Sequence, residues 1–263
     1  MRTHAPAMPH AAAELPEVRQ IHTADLRWAL AQGWRDLMHK RSDLAFAGLI
    51  YPLVCLVAAY VSFNQPLLPL FFPLVAGLSI AGPAVASGFY EIARREEEGL
   101  DARWPHFFDP LSGRSREPLV TLAAALGLLW LVWLAVAWAI YSATLGDAPP
   151  AGIGDFLTRL LTTREGWTLI VAGNLAGFVF ALVTLIFSVV SFPMVVDQPV
   201  DAGVALRTSL AAFRRNQRVV LGWGLRVAVL LAVGTLLFGV GLAVVLPWLG
   251  YATWHLYTRL VVR

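Results

Sequence analysis

Four side chains able to carry charge or make strong hydrogen bonds stand in or at the edge of long apolar runs: Glu91, Asn174, Arg226 and His255. Arg226 is the only fixed charge between Val219 and Tyr257. A lone arginine at bilayer depth costs about 2.5 to 3.5 kcal/mol on insertion scales, so it needs a partner or a route to the headgroups. Helical side chains lean toward the N-terminus of their own helix. On a helix starting at the basic side, Arg226 leans back toward that side. Glu91, near the end of a helix running toward it, leans toward the bilayer centre. Pairing of Arg226 with Glu91 and snorkelling to headgroups without a partner are the two readings, with His255 as the alternative neighbour. Asn174, between Gly173 and Gly177, is expected to hydrogen-bond to an adjacent helix rather than to hold a ligand. These four residues are the candidate intramembrane polar cluster.

Outside it, the residue types offer little chemistry. His4, His10 and His22 lie in an N-terminal stretch, His39 and His106 in basic segments, and none has ligand spacing such as HxxxH. Cys55 is the single cysteine, so neither a disulfide nor a thiolate cluster can form within the chain. There is no glycine-rich phosphate loop, serine nucleophile elbow or HExxH. The expectation is a protein that is not an enzyme and holds no metal and no cofactor. The net charge of +3 arises from arginines scattered over separate segments. That suits anchoring to anionic headgroups better than binding nucleic acid.

The elements that position these residues are set by composition. Of 263 residues, 58% are hydrophobic and 14% charged, with a mean hydropathy of +0.65, which makes the bilayer the expected solvent. Leu44 to Phe63, Leu67 to Tyr90, Pro118 to Tyr141 and Trp167 to Val196 each run without a charge for the length needed to cross a hydrocarbon core. The run from Val219 to Tyr257 is too long for one ordinary span and divides near Phe238 to Gly241, giving six. The distribution of Lys and Arg supports that count. Six precede the first span, five lie between spans two and three, four between spans four and five, and two follow the last, against Arg159 and Arg164 on the other side. Six spans place both termini and the basic loops in the cytoplasm. The expected fold is an all-α, polytopic membrane helix bundle with two amphipathic interfacial helices.

Residues 1–24 read as a mobile N-terminal tail and 25–263 as the six-span domain. From Asp25, a good N-cap, Leu26, Ala29, Leu30, Gly33, Trp34 and Leu37 recur at helical spacing, predicting a surface helix. Val204 to Arg218 repeats the theme. After span two, the pairs Glu91 with Arg95 and Arg94 with Glu98 predict a solvated helical extension. Trp104, Pro105, Phe107 and Phe108 follow as a headgroup-level aromatic cluster. A short amphipathic piece around Phe156, Leu157, Leu160 and Leu161 lies on the outer side, and Phe192-Pro193 is expected to end span four. Small residues form close-packing stripes at Gly77, Ala81, Ala84 and Gly88 and at Gly173, Gly177 and Ala181. Pro83 and Pro247 are expected to kink their helices.

The chain also matches itself. A shift of 176 residues places Asp25 on Asp201, Ala29 on Ala205 and Gly48 on Gly224; a shift of 164 places Gly77 on Gly241, Pro83 on Pro247, Glu91 on His255 and Arg95 on Arg259. The expected organisation is a first repeat unit over 25–99, inserted spans three and four over 100–200, and a second unit over 201–263. Both units start inside, so the repeat is parallel, with an axis along the membrane normal.

Several of these residues together resemble the domain-of-unknown-function 2189 family of predicted bacterial integral membrane proteins. They are Ala29-Leu30 with Gly33-Trp34 and Asp36, Gly77 with Gly82-Pro83, Tyr90-Glu91 and Arg94-Arg95, Phe192-Pro193 with Asp197, and Leu246-Pro247 with Gly250 and Ala252 to Tyr257. The resemblance implies a bacterial inner-membrane protein and brings no catalytic residues. Some relatives carry the label of a cytochrome c oxidase subunit, and this sequence argues against it, because a haem-copper centre needs several intramembrane histidines. Two functions are expected to compete. One is a non-enzymatic scaffold or assembly partner, with membrane lipids and a membrane protein or a second copy as partners. The other is a small transporter or lipid-handling protein with a site between spans two and six.

Overall fold

The computed structural model describes residues 15–39, 71–146, 150–236 and 241–263. The first span, its outer turn, Cys55, the start of span two and the dividing point at Phe238 to Val240 lie outside the described residues. Nine α-helices occur among the described residues. In chain order they are α1 (Thr23–His39), α2 (Phe71–Glu97), α3 (Arg116–Leu145), α4 (Ile153–Thr162), α5 (Arg164–Ser188), α6 (Ser191–Asp197), α7 (Ala202–Arg215), α8 (Gln217–Leu236) and α9 (Leu242–Leu260), with a 3-10 helix at Trp104–Leu111 between α2 and α3. Helix α3, the α5 and α6 pair, and α8 are each long and apolar enough to cross a membrane.

Two ends organise the bundle. The C-terminal ends of α2, α6 and α9 and the starts of α3, α7 and α8 meet on one face, which carries most of the arginines. On it Arg263 reaches Glu97 and Asp197, Arg114 donates to the Asp197 carbonyl at 3.0 Å, and the Arg19 N–H donates to the Leu260 carbonyl at 2.7 Å. The far face holds the end of α3, where Arg159 of α4 donates to the Leu145 carbonyl. Leu128, Leu131, Leu175, Phe178, Leu225 and Val229 stay exposed along α3, α5 and α8, as lipid-facing positions should. The core is densest near the basic face, around Val190 to Val196 and Tyr251 to Tyr257.

Helix α1 begins two residues before Asp25. The Asp25 carboxylate accepts the His22 N–H at 2.8 Å, so His22 is the cap and Asp25 closes the first turn from inside. The stripe Leu26, Ala29, Gly33 and Leu37 is buried, as its spacing predicts, while Trp34 is 40% exposed. Helix α1 packs closely along α9, from Trp28 beside Arg259 to Trp34 beside Trp248. Trp28 and Asp36, two turns apart, both meet His255, and Gly33 sits where a Cβ would come 2.5 Å from the Ala252 nitrogen.

Three expectations change. Residues 15–22, taken as part of a mobile tail, are fixed: Val18 pairs with Val261 in an isolated antiparallel bridge, and buried Asn216 accepts the Ile21 N–H and donates to the Arg19 carbonyl. Span four breaks one turn before Phe192-Pro193. The Pro193 ring would clash with the carbonyl four residues back, at Val189, so the chain unwinds at Val189 and Val190 and resumes as α6 with Pro193 in its first turn, where no helical N–H is needed. Ser209 of α7 fills the gap, accepting the Val190 N–H at 3.3 Å and donating to the Ile186 carbonyl at 2.8 Å. The extension after span two is solvated only in its outer part, Glu96 to Glu98, with Arg94 and Arg95 half-buried. Helix α2 continues through Pro83 to Glu97 and buries Glu91 before stopping at Gly99, whose φ of 70° suits the left-handed turn there.

Candidate functional site

Three polar nodes stand on the basic face. The first is Asp197, at the end of α6, with its side chain 7% exposed. Its Oδ2 accepts from the Tyr257 hydroxyl at 2.8 Å and from Arg263 Nε at 2.9 Å, and its Oδ1 accepts from Arg263 Nη2 at 2.9 Å. Arg263 also reaches Glu97 and lies over the Trp254 ring, whose indole N–H donates to Glu97 at 3.2 Å. Burial opposes the charge on Arg263, but the hydrogen bonds and charges of Asp197 and Glu97 outweigh it and push the guanidinium further up.

The second node is Glu91. Both expected pairs form, Glu91 with Arg95 and Arg94 with Glu98, each at 2.7 Å. Arg94 in addition chelates Glu91 through Nε at 2.9 Å and Nη2 at 2.7 Å, so one buried carboxylate carries two guanidiniums. Arg95 passes the chain on to Asp109 at 2.7 Å, and His106 Nδ1 lies 2.8 Å from the same oxygen. The hydrogen bonds of Glu91 lead the causes that raise Arg94 above the ordinary arginine range. Farther out, Arg103 holds the exposed Asp101 carboxyl well below the usual carboxylate range. Phe107, of the expected aromatic cluster, packs on Phe89 at 4.9 Å, while Phe108 is 48% exposed.

The third node joins α1 to α9. His255 Nε2 lies 2.6 Å from Asp36 Oδ2, Trp28 meets the imidazole edge-on at 5.6 Å, and the Arg259 guanidinium stands 4.0 Å above the Trp28 ring.

The candidate cluster of Arg226, Glu91, His255 and Asn174 is not brought together. Arg226 leans toward the N-terminus of α8, as expected, but donates to the Gly222 carbonyl at 2.7 Å. Glu91 is already filled by its own helix. His255 has Asp36 instead, and Asn174 is exposed and bonds the Ile170 carbonyl of its own helix at 2.7 Å. Of the stripe beside Asn174, Gly177 meets Trp133 of α3 at ordinary contact distance, whereas at Gly173 nothing lies within 4 Å and Ala181 is exposed, so the expected close-packing stripe does not form among the described residues. Sequence reasoning missed Asp197, Arg263 and Glu97 as one unit. The available signal was that each directly follows or ends an apolar helix on the basic side, but contacts 66 and 166 positions apart in sequence need the packed bundle to be seen. No group of three or more His, Cys, Asp or Glu residues able to hold a metal occurs among the described residues.

Compared with known families, residues 71–197 match the model described as predicted integral membrane protein (DUF2189). The match runs from α2 to α6, takes in the Glu91 node and ends on Asp197, and it bears out the resemblance drawn from the sequence. No curated protein and no solved structure matches the chain.

Proposed function

We propose that this integral membrane protein is a non-enzymatic scaffold or assembly partner, holding its basic face toward the cytoplasm of a bacterial inner membrane. The observation that carries the reading is the seam between α2 and α9. Phe89 packs against Gly250 and meets Tyr251 at a ring separation of 5.5 Å, and Tyr90 beside it is buried. A transporter with a site between spans two and six needs space there; this half of the seam is filled with side chains instead. The polar nodes fit the same reading, since their carboxylates are occupied by arginines, tyrosine and histidine of the chain itself.

Six spans and a parallel repeat belong to the proposal. The seam contacts join Phe89 to residues 161 and 162 positions later, close to the shift of 164 that aligns Pro83 with Pro247. Parallel helices packed nearly in register are what an axis along the membrane normal would give. Reporter fusions after Ser142 and after Arg263 should read outside and inside.

The partner is a membrane protein or a second copy of this chain. Extracted with its native lipids in polymer nanodiscs, the protein should purify as a complex of fixed stoichiometry. A monomer whose melting temperature rises with a small solute, and which carries that solute into vesicles, would instead establish the transporter reading.

A further inference from the structure

We propose that the cleft between the N-terminal segment and α7 binds the phosphate headgroup of an anionic phospholipid. The cleft is an open groove of about 680 Å3, with Leu15 to Val18 on one wall and Arg207, Leu210, Ala211, Arg214 and Arg215 on the other. Positions 207 and 214 stand two turns apart on one side of α7, with Leu210 and short Ala211 between them. Guanidiniums thus flank an apolar floor. Phosphate oxygens accept such forked donors well, and a glycerol backbone fits on the floor between them.

The opposite wall is built rather than incidental. The Val262 N–H donates to the Glu17 carbonyl at 3.0 Å, Val18 pairs with Val261, and Asn216 clamps Arg19 and Ile21. On the same face Arg94, Arg95, Arg103 and Arg263 are matched to carboxylates. Among the described residues no ion pair engages Arg207, Arg214 or Arg215; Arg207 Nε donates to the Gly203 carbonyl of its own helix at 3.2 Å. Glu17 is the one carboxylate in the cleft wall, so the three arginines leave the site net positive.

Depth selects a lipid over a soluble anion. Through Ser209, α7 is bonded to Ile186 and Val190 at the end of α5, where Phe187 is exposed. Helix α8 starts after Asn216, and its Leu221 and Leu225 are exposed as well. The lipid-facing surfaces of α5 and α8 therefore begin at the depth of α7, placing its arginines at headgroup level. The inference needs only residence in a membrane, so failure of the scaffold reading leaves it standing.

The test uses the purified full chain in maltoside micelles, with bound lipid counted by native mass spectrometry and melting temperature followed in parallel. Phosphatidylglycerol, phosphatidylcholine and inorganic phosphate are titrated separately. One phosphatidylglycerol should be retained per chain and raise the melting temperature, while phosphatidylcholine does neither and inorganic phosphate does not displace the lipid. The double variant R207Q/R214Q should lose roughly thirtyfold in phosphatidylglycerol affinity, at the usual contribution of a basic residue near an anionic surface. R27Q/R35Q, on the exposed side of α1 and outside the cleft, should change it by less than about twofold, because exposed charges away from the bound headgroup are screened. Should R207Q/R214Q not fold, A211W keeps every charge, fills the floor and must lose the lipid too, whereas E17Q must hold it as well or better. Equal retention of phosphatidylcholine, or equal loss in R27Q/R35Q, would reduce the site to general interfacial adhesion and overturn the proposal. Displacement by inorganic phosphate would make it a soluble-anion site and overturn it as well, and a dimer that R214E splits without changing the lipid count would hand the cleft to a second copy.

Discussion

Arg263 donates through Nε and Nη2 to the two carboxylate oxygens of Asp197, each at 2.9 Å, with its remaining amino group on Glu97. One guanidinium thereby fastens the end of the chain to the ends of α2 and α6. Asp197 also holds the Tyr257 hydroxyl, so its removal strands two donors rather than one. Asp197→Ala should cost about 2 to 3 kcal/mol. Arg263→Ala, on a side chain 27% exposed, should cost nearer 1 kcal/mol because water screens and replaces part of the pair. Denaturation of both single variants and the double should give a coupling of about 1 kcal/mol, and strict additivity would mean the contact contributes nothing.

Arg226 and Glu91 should behave as strangers. Glu91→Gln leaves Arg94 and Arg95 short of a buried counter-charge, with a cost of roughly 1 to 3 kcal/mol. Arg226→Leu gives up one bond to its own helix and removes a charge at bilayer depth, so stability should stay level or rise. The two effects should add to within about 0.5 kcal/mol. A coupling above that, measured by melting in detergent, would restore the pairing expected from the sequence.

The sequence readings that succeeded rest on periodicity along one helix. The α1 stripe, the pairs Glu91 with Arg95 and Arg94 with Glu98, and the apolar lengths of α3, α5 and α8 are all visible from spacing. What failed depends on how helices are turned and staggered against one another. Leaning directions correctly sent Arg226 toward its own N-terminus, but they could not show that the Gly222 carbonyl is reached first, or that Arg94 closes Glu91 from the same helix. The Asp197 node joins three separate segments and has no local pattern at all. The break at Val189 is legible in principle, since Pro193 dictates trouble at the carbonyl four residues back, although the apolar run by itself points to the proline as the end of the helix.

Acid should expose the outermost pair. Arg103, by its hydrogen bonds, depresses the Asp101 carboxyl below its unfolded value near 3.9. A depressed folded pKa contributes stability above the unfolded value, and that contribution is lost as pH falls through the folded one. Wild type should therefore melt higher than Arg103→Gln at pH 5 and above, and the two curves should converge as the pH is lowered through 3 toward 2. Both groups are exposed, so the separation should be small and should shrink further in high salt. A gap that is unchanged at pH 2 would remove the ion pair as its cause.

Glycines test the packing more sharply than charges do. At Gly33 a Cβ would come 2.5 and 2.8 Å from the nitrogen and Cα of Ala252, so the obstacle is the backbone of α9, which cannot swing aside. At Gly88 the obstacle is the ring of Phe107, a side chain of the 3-10 helix held by Phe89, Trp104 and Phe108. At Gly82 nothing lies within 4 Å. Gly33→Ala should therefore push α1 off α9 and cost about 1 to 3 kcal/mol, the usual range for overpacking. Since α1 carries Asp36 to His255 and the Leu30 carbonyl to the Trp248 indole, the same change should shift tryptophan emission. Gly88→Ala should cost less, because a ring can give where a backbone cannot. Gly82→Ala should gain up to about 1 kcal/mol from helix propensity alone. Thermal melts of the three variants in one detergent check the order, and a Gly33→Ala protein as stable as Gly82→Ala would mean that α1 does not rest on α9 at this contact.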